Sequence, residues 1–351
     1  MDSHRHQGWP GVYFALTSAV LFGLSTPIAK VLLGNTPPVL LAGLLYAGSG
    51  AGLSIAYRTR RAIAAEAALR RRDLRWVTLA VAAGGIVAPV LLMLGLTGTP
   101  ASSASLLLNL EGVFTLAIAW IVFRENVDVR IGLGAAAILT AAILLSWAGG
   151  PQGGTWKSAA IVAACLAWAV DNNFTRKIST ADPIQLAMIK GVAAGAVNLS
   201  AAVVVHSTWP RPTTIAAAAG LGFVSYGVSL VCFILALRHL GTARTGAYFS
   251  FAPFVGAAVS IMILGEPMTW MFAAAAGLMG LGLYLHVTER HEHEHAHEAM
   301  VHAHRHSHDA HHQHSHSPDD PSGEPHTHWH EHETLVHSHP HYPDAHHRHR
   351  H

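Results

Sequence analysis

Leu94–Val127, LGLTGTPASSASLLLNLEGVFTLAIAWIVFRENV, and Leu235–Met268, LALRHLGTARTGAYFSFAPFVGAAVSIMILGEPM, can be laid on one another without a gap. Leu96 then falls on Leu237 and Glu125 on Glu266. The two stretches hold the apolar runs Ala101–Phe123 and Thr242–Leu264. Each is long enough to cross a bilayer, whose hydrocarbon core of about 30 Å takes roughly 20 helical residues. The runs are continuous rather than alternating, and rich in Ala and Gly, which describes helices and excludes a barrel wall.

Working outward, the same kind of run recurs. Gly11–Leu33, Val39–Tyr57, Trp76–Thr97 and Ile131–Trp147 complete the first half of the chain. Ser158–Thr175, Ile184–Val205, Thr214–Leu237 and Met271–Val287 complete the second. Buried helices of a water-soluble protein would need polar faces that most of these lack. The fold predicted is therefore an all-α polytopic membrane protein of about ten helices. The first run is longer than a signal-peptide core and no clear cleavage site follows it, so it is expected to be retained. Cys165 and Cys232 both fall inside spans, so no disulfide framework is implied.

The correspondence between halves extends beyond the opening pair. Pro38-x-x-Leu41-Ala42 matches Pro183-x-x-Leu186-Ala187, and Gly50-Ala51 matches Gly195-Ala196. Phe22-Gly-Leu-Ser-Thr-Pro-Ile-Ala-Lys30 parallels Trp168-Ala-Val-Asp-Asn-Asn-Phe-Thr-Arg176. Two units of five helices, 11–148 and 158–287, are expected. An odd number of spans turns the second copy upside down, and inverted repeats are a recurrent architecture of secondary transporters.

Basic residues in short loops decide orientation. Arg58, Arg60, Arg61, Arg70, Arg71, Arg72 and Arg75 crowd the second loop, while Arg124 and Arg130 flank the fourth. Arg176 and Lys177 mark the sixth, Arg238 and Arg244 the eighth; the odd loops carry little beyond Lys157 and Arg211. Even loops are thus expected in the cytoplasm. Ten spans then put both the N-terminus (residues 1–10) and the C-terminal tail there, in a multi-pass protein of the inner membrane.

The segments LFGLSTPIAK, TPASSASLLLNLEGVFTLAIAWIVFRE, ACLAWAVDNNFTRKIS and LGTARTGAYFSFAPFVGAAVSIMILGEPMT resemble EamA-type members of the drug/metabolite transporter superfamily. The resemblance covers residues 11–287. It implies a ten-helix carrier with cytoplasmic termini, no catalytic residue and no required cofactor. It fixes no substrate, since such carriers move amino acids, nucleosides, sugars and other small metabolites.

Polar groups within the spans are the candidate site, because each costs on the order of 3 kcal/mol to insert unless it faces a cavity or a partner. Glu111 lies mid-span with Asn109 two residues before it. It reads either as a proton or substrate-amine site or as a structural carboxylate. Lys190 either snorkels to the interface or pairs with Glu111 across the repeat. Of the consecutive Asp171-Asn172-Asn173, one or two are expected to line a cavity while another caps a neighbour, since adjacent positions cannot share a helix face. Tyr248, Tyr226 and Trp168 are candidate cavity aromatics or packing residues. Lys30 reads as an anchor at the outer interface. Pro27, Pro89 and Pro253 are expected to break their helices, and Gly48-x-Gly50-x-Gly52, Gly191-x-x-x-Gly195 and Gly277-x-x-Gly280-x-Gly282 to let helices approach closely.

Beyond Arg290 the composition changes. The whole chain has 351 residues, 51% hydrophobic, but residues 291–351 contain no apolar run and hold 23 of its 28 histidines. His291, His293, His295, His297, His302, His304, His306 and His308 stand at near-alternating positions, interleaved with Glu and Asp. Neutral imidazoles so spaced offer interchangeable ligand sets for Zn²⁺, Ni²⁺, Co²⁺ or Cu²⁺. Pro318, Pro321, Pro325, Pro340 and Pro343 point to a disordered segment. His291-Glu292-x-x-His295 matches the HExxH pattern, a match expected by chance in a tract rich in both residues.

The function expected is alternating-access transport, as an exporter, of a small metabolite, with a metal-binding tail appended. Its partners would be the lipid bilayer, that small molecule, transition-metal ions and a second copy in a homodimer, but no nucleic acid. The alternative is a Ni, Co or Zn transporter, or a metal-sensing membrane protein, using the tail as a collector. Against it, the spans hold no His-x-x-x-His or His-x-x-x-Asp pairs, and His206, His239 and His286 sit at helix ends.

Overall fold

A computed structural model describes residues 9–60, 69, 71–123, 129–148, 155–178 and 181–288, and the short segments 292–296, 300–306, 326–332 and 336–340. Within residues 9–288 every regular element is helical. The first half comprises α1 (Trp9–Gly23), α2 (Ser25–Leu32), α3 (Pro38–Arg60), α4 (Leu74–Ala80), α5 (Ala88–Leu96), α6 (Ala101–Leu107), α7 (Leu110–Phe123) and α8 (Val129–Ala148). The second comprises α9 (Thr155–Arg176), α10 (Pro183–Val204), α11 (Pro212–Leu221), α12 (Ser229–Phe249), α13 (Ala252–Leu264) and α14 (Trp270–Val287).

Six stretches are long and apolar enough to cross a membrane: Pro10–Leu32, Pro38–Thr59, Leu74–Leu96, Ala101–Val122, Pro183–Val204 and Pro212–Leu237. Val129–Leu145, Ala252–Leu264 and Trp270–Leu285 are shorter apolar helices. α9 is 22 residues long but carries Lys157 and Asp171 along its length. The protein is thus a polytopic membrane protein, and Trp120, Ile121, Val122, Met262 and Ile263, all well exposed, suit a surface facing lipid tails.

Several spans are interrupted, and the interruptions recur. α4 and α5 are joined by a π-helical segment, Val81–Val87, just before Pro89. α11 and α12 are joined by another, Gly222–Val228, starting 141 residues later. The break at Leu108–Asn109, between α6 and α7, has a counterpart within one residue of that interval in the break at Ser250–Phe251, just before Pro253. The 141-residue spacing of the π segments is the one which superposes Leu94–Val127 on Leu235–Met268. Pro27 lies in the first turn of α2, just after the break at Leu24.

Local chemistry sets the ends. Asp182 accepts hydrogen bonds from the Ile184 and Gln185 amides at 2.9 and 3.3 Å, and Pro183 opens α10 at a position needing no donor. Asp182→Ala is expected to cost about 1 kcal/mol, measurable as a lower melting temperature of the detergent-solubilised protein. Gly265, at φ 64°, ends α13 in the left-handed conformation that favours glycine. The halves are joined through α3 and α10, whose backbones touch at Gly50 and Gly191; a Cβ on Gly50 would lie 2.5 Å from the Val192 nitrogen.

The described residues of the tail are extended. β1 (Glu292–Ala296) pairs antiparallel with β4 (Val336–Pro340), and β2 (Met300–His306) with β3 (His326–His332). Alternate-residue histidine spacing is also the two-residue period of a strand. His293, His295, His302, His304 and His306 lie in these strands, opposite His339, His337, His330, His328 and His326. His291, His297 and His308 lie outside the described residues.

Candidate functional site

The π-helical segment Val81–Val87 is where the site begins. Pro89 brings no N–H to the carbonyls four and five residues before it, Gly85 and Gly84, and here side chains take them. Tyr46 Oη donates to Gly84 O at 2.8 Å and Trp168 Nε1 to the same oxygen at 3.0 Å. Asn198 Nδ2 donates to Gly85 O at 3.2 Å. These bonds hold two aromatic rings, one from each half, against a cavity at the centre of the bundle.

Next to them stands a buried ion pair. Lys190 Nζ lies 2.7 Å from both carboxylate oxygens of Asp171, with side-chain exposures of 4% and 7%. Thr175 Oγ1 donates to Asp171 Oδ1 at 2.8 Å. The carboxylate occupies the space a side chain at Gly84 would need. Such a pair stands only because its members and their remaining hydrogen bonds are all satisfied. Lys190 therefore neither snorkels nor pairs with Glu111, as the sequence suggested. Asp171, on α9, takes it instead, while Glu111, on α7, is held by Asn172.

Glu111 lies just past the Leu108–Asn109 break, in the first turn of α7. Its Oε1 accepts from Asn172 Nδ2 at 2.7 Å. Asn173 turns elsewhere, donating to Ala169 O at 2.9 Å and Thr115 O at 3.3 Å. The polar triplet thus divides, with Asp171 and Asn172 on the cavity and Asn173 on the neighbouring helix.

The cavity holds about 720 Å³ of empty space, its mouth included. Its polar wall contains Glu111, Asp171, Asn172 and Lys190. Its apolar wall is aromatic: Phe22, Tyr46, Trp168, Tyr226, Phe233 and Phe249. Edge-on and tilted contacts at 5.4–5.8 Å lock Phe22 to Tyr226 and Phe249, and Tyr46 to Tyr226. Ser18 and Ser229, also on the wall, each donate to the other's carbonyl at 2.8 and 2.9 Å, tying α1 to α12.

Two candidates from sequence do not line it. Asn109 donates to Leu106 O at 3.2 Å and lies 3.6 Å from Met279 Sδ, capping the end of α6 rather than facing the cavity. Tyr248 sits one residue before Phe249, about 100° around the helix from it, and Phe249 takes the cavity face. Tyr46, Phe22, Phe233 and Phe249 carried no signal in sequence, because an aromatic residue in an apolar span reads as packing until its neighbours are known. Among the described residues no group of three or more His, Cys, Asp or Glu is placed to hold a metal ion.

A charged, aromatic-walled cavity with a mouth to one side, inside helices of membrane length, suits a transporter of small molecules. Residues 9–147 and 155–288 each match the EamA-like transporter family, so the chain belongs to that family and is a transporter, not an enzyme. It is 26% identical over 288 residues to an uncharacterized transporter of Methanothermobacter thermautotrophicus, covering 77% of this chain and 83% of that one. It is 26% identical over 232 residues to a protein of Streptantibioticus cattleyicolor named a probable terminal-alkyne amino-acid exporter, covering 60% of this chain and 73% of that one. A solved structure shares the fold, with a TM-score of 0.61 at 19% identity, over 79% of this chain and 98% of its own.

Proposed function

We propose that the protein is a secondary carrier that exports a small, ammonium-bearing metabolite by alternating access. The observation that carries this reading is the charge balance of the cavity. Asp171 neutralises Lys190 within the wall, which leaves Glu111, among the described residues, as the cavity's carboxyl without a basic partner. A carboxylate to receive an ammonium, with π faces around it, recognises an organic cation or the amino end of an amino acid. The relative named as an amino-acid exporter supports the same class.

Both halves build the cavity, and their π-helical interruptions recur at the interval of the sequence repeat. This supports two inverted five-helix repeats rocking around a fixed central site. With the positive-charge bias of the loops, it supports ten spans in the cytoplasmic membrane with both termini inside. The carrier itself needs no cofactor.

The test is uptake into inverted vesicles of radiolabelled amino acids and amines, compared with Zn²⁺, Ni²⁺ and Co²⁺, for the full chain and for one lacking residues 291–351. Amine or amino-acid uptake that survives the deletion is the expected result. Metal uptake lost on deletion overturns the reading in favour of a metal transporter.

The tail is assigned to transition-metal binding on its own account, through its 23 histidines. Titration of the purified full chain with Ni²⁺ or Zn²⁺ is expected to show several sites that the deletion removes. The binding is expected to be lost as pH falls through about 6.5, where free imidazoles take up protons.

A further inference from the structure

The cavity occupies only part of the bundle. Thr175 is one residue from the end of α9, and Ala187 and Lys190 lie within the first turns of α10. The cavity therefore runs from mid-bundle toward the end where α9 passes into α10. Toward the opposite end, Ala29, Leu40, Leu41, Met93, Leu96 and Leu107 form a layer with at most 1% exposure.

At that opposite end a set of charged contacts converges on one short connection, Thr97–Pro100, between α5 and α6. Lys30 Nζ donates to Leu96 O and Thr99 O at 2.5 and 2.9 Å, meeting the negative C-terminal end of α5. Glu266, swung out by the left-handed turn at Gly265, accepts from the Ala101 and Ser102 amides at 2.7 and 2.8 Å, meeting the positive N-terminal end of α6. Lys157, at the start of α9, donates to Thr97 Oγ1. Lys30 comes from the first half, Glu266 and Lys157 from the second. The connection is thus gripped across the boundary between halves, by Lys30 and Glu266 at backbone groups and by Lys157 at the Thr97 hydroxyl. Sequence reading had made Lys30 a simple interface anchor.

Beneath this clamp lie hydroxyls that ordinary packing leaves unexplained. Ser105 Oγ, one turn into α6, and Thr99 Oγ1, in the clamped connection itself, are two of seven buried side-chain hydroxyls with no hydrogen-bond partner among the described residues. Ser105 packs where α13 approaches α6, against Gly256. A buried hydroxyl without a partner is disfavoured, so two of them under a single charged closure mark a surface that is wet in another conformation.

Resting on the carrier reading above, we propose that Lys30 and Glu266 are the gating residues of transport at the face opposite the cavity mouth, closed in this structure, and that Ser105 lines the path they close. Releasing Glu266 from α6 and Lys30 from α5 frees the 97–100 connection and lets water reach Ser105 as the mouth on the other side shuts.

The test reads access, not substrate. In a full-length Cys165→Ala/Cys232→Ser background, Ser105→Cys and, separately, the cavity residue Ser49→Cys are labelled with a membrane-impermeant thiol reagent. Right-side-out and inverted vesicles supply the two faces. Glu266→Gln is expected to raise Ser105→Cys labelling from the clamp face by roughly tenfold, the shift that losing a charge-assisted contact gives. It is expected to lower Ser49→Cys labelling from the opposite face. Lys30→Met is expected to do the same.

Labelling that stays unchanged in both variants overturns the proposal. So does labelling that rises at both faces, which is general loosening, or loss of folded protein in both variants, which is a purely structural role. Reciprocal labelling without any amine or amino-acid transport keeps the gate and sinks the substrate reading. Loss of transport in Glu111 variants with Ser105→Cys never labelled does the reverse.

Discussion

Glu111→Gln is expected to weaken transport of an ammonium-bearing substrate by roughly ten- to a hundredfold. A hydrogen bond to a charged group is worth about 1.5–3 kcal/mol, and each 1.4 kcal/mol is about tenfold in affinity. The substitution keeps the side-chain volume and still offers an acceptor to Asn172 Nδ2, 2.7 Å from Oε1 in the native protein, so the fold is expected to survive. The loss should appear in the substrate concentration giving half-maximal rate and in the pH dependence of the initial rate, which a titrating carboxylate imposes and an amide cannot. Uptake with unaltered half-saturation and pH profile would remove Glu111 from the site and return it to the structural reading.

The second large effect is on stability. Asp171→Asn or Lys190→Met alone leaves one charge unpaired at a place where both side chains are less than a tenth exposed. Breaking a buried pair in this way costs about 3–5 kcal/mol, whereas removing both charges is often close to neutral. Each single variant is therefore expected to lose most of its folded protein, read by monodispersity and melting temperature in detergent, and the double Asp171→Asn/Lys190→Met to recover it. Single variants as stable as the native protein would contradict the pair's role. Transport by the recovered double variant then separates two uses of the pair. A folded, active double variant makes it a neutral strut of the cavity wall; a folded, inactive one makes it part of the substrate's contact surface.

How far sequence reached can be judged from particular residues. Glu111 and Asp171 stood out because an ionisable group in an apolar run is costly wherever it sits, so it must face something. What it faces depends on helices distant in sequence. Lys190 reads in sequence as open between the interface and Glu111, and its partner, Asp171, lies 19 residues away on an adjoining helix. Asn109 and Glu111 share a stretch of chain but not an environment, because the helix breaks between them.

The interruptions near Pro27, Pro89 and Pro253 were legible as prolines, those at Leu108–Asn109 and Gly222–Val228 were not, and the form of none was. No composition rule distinguishes Val81–Val87 from an ordinary helical turn, and its π geometry decides where Tyr46, Trp168 and Asn198 point. Glu266 was aligned with Glu125 from sequence, but its grip on α6 requires the turn at Gly265 and the meeting of two halves. The tail's composition was plain, while the strand pairing of its described residues was not.

The π segments have a mechanical side as well. Each holds a surplus residue relative to a regular turn, trapped in the middle of a span. Passing that surplus along the helix rotates everything beyond it by about 100° and advances it by about 1.5 Å, without unwinding a turn. The Gly84 carbonyl, held by two side chains instead of the backbone, is the catch on such a screw. A membrane helix built this way can change its working face at the cost of exchanging the partners of a few carbonyls.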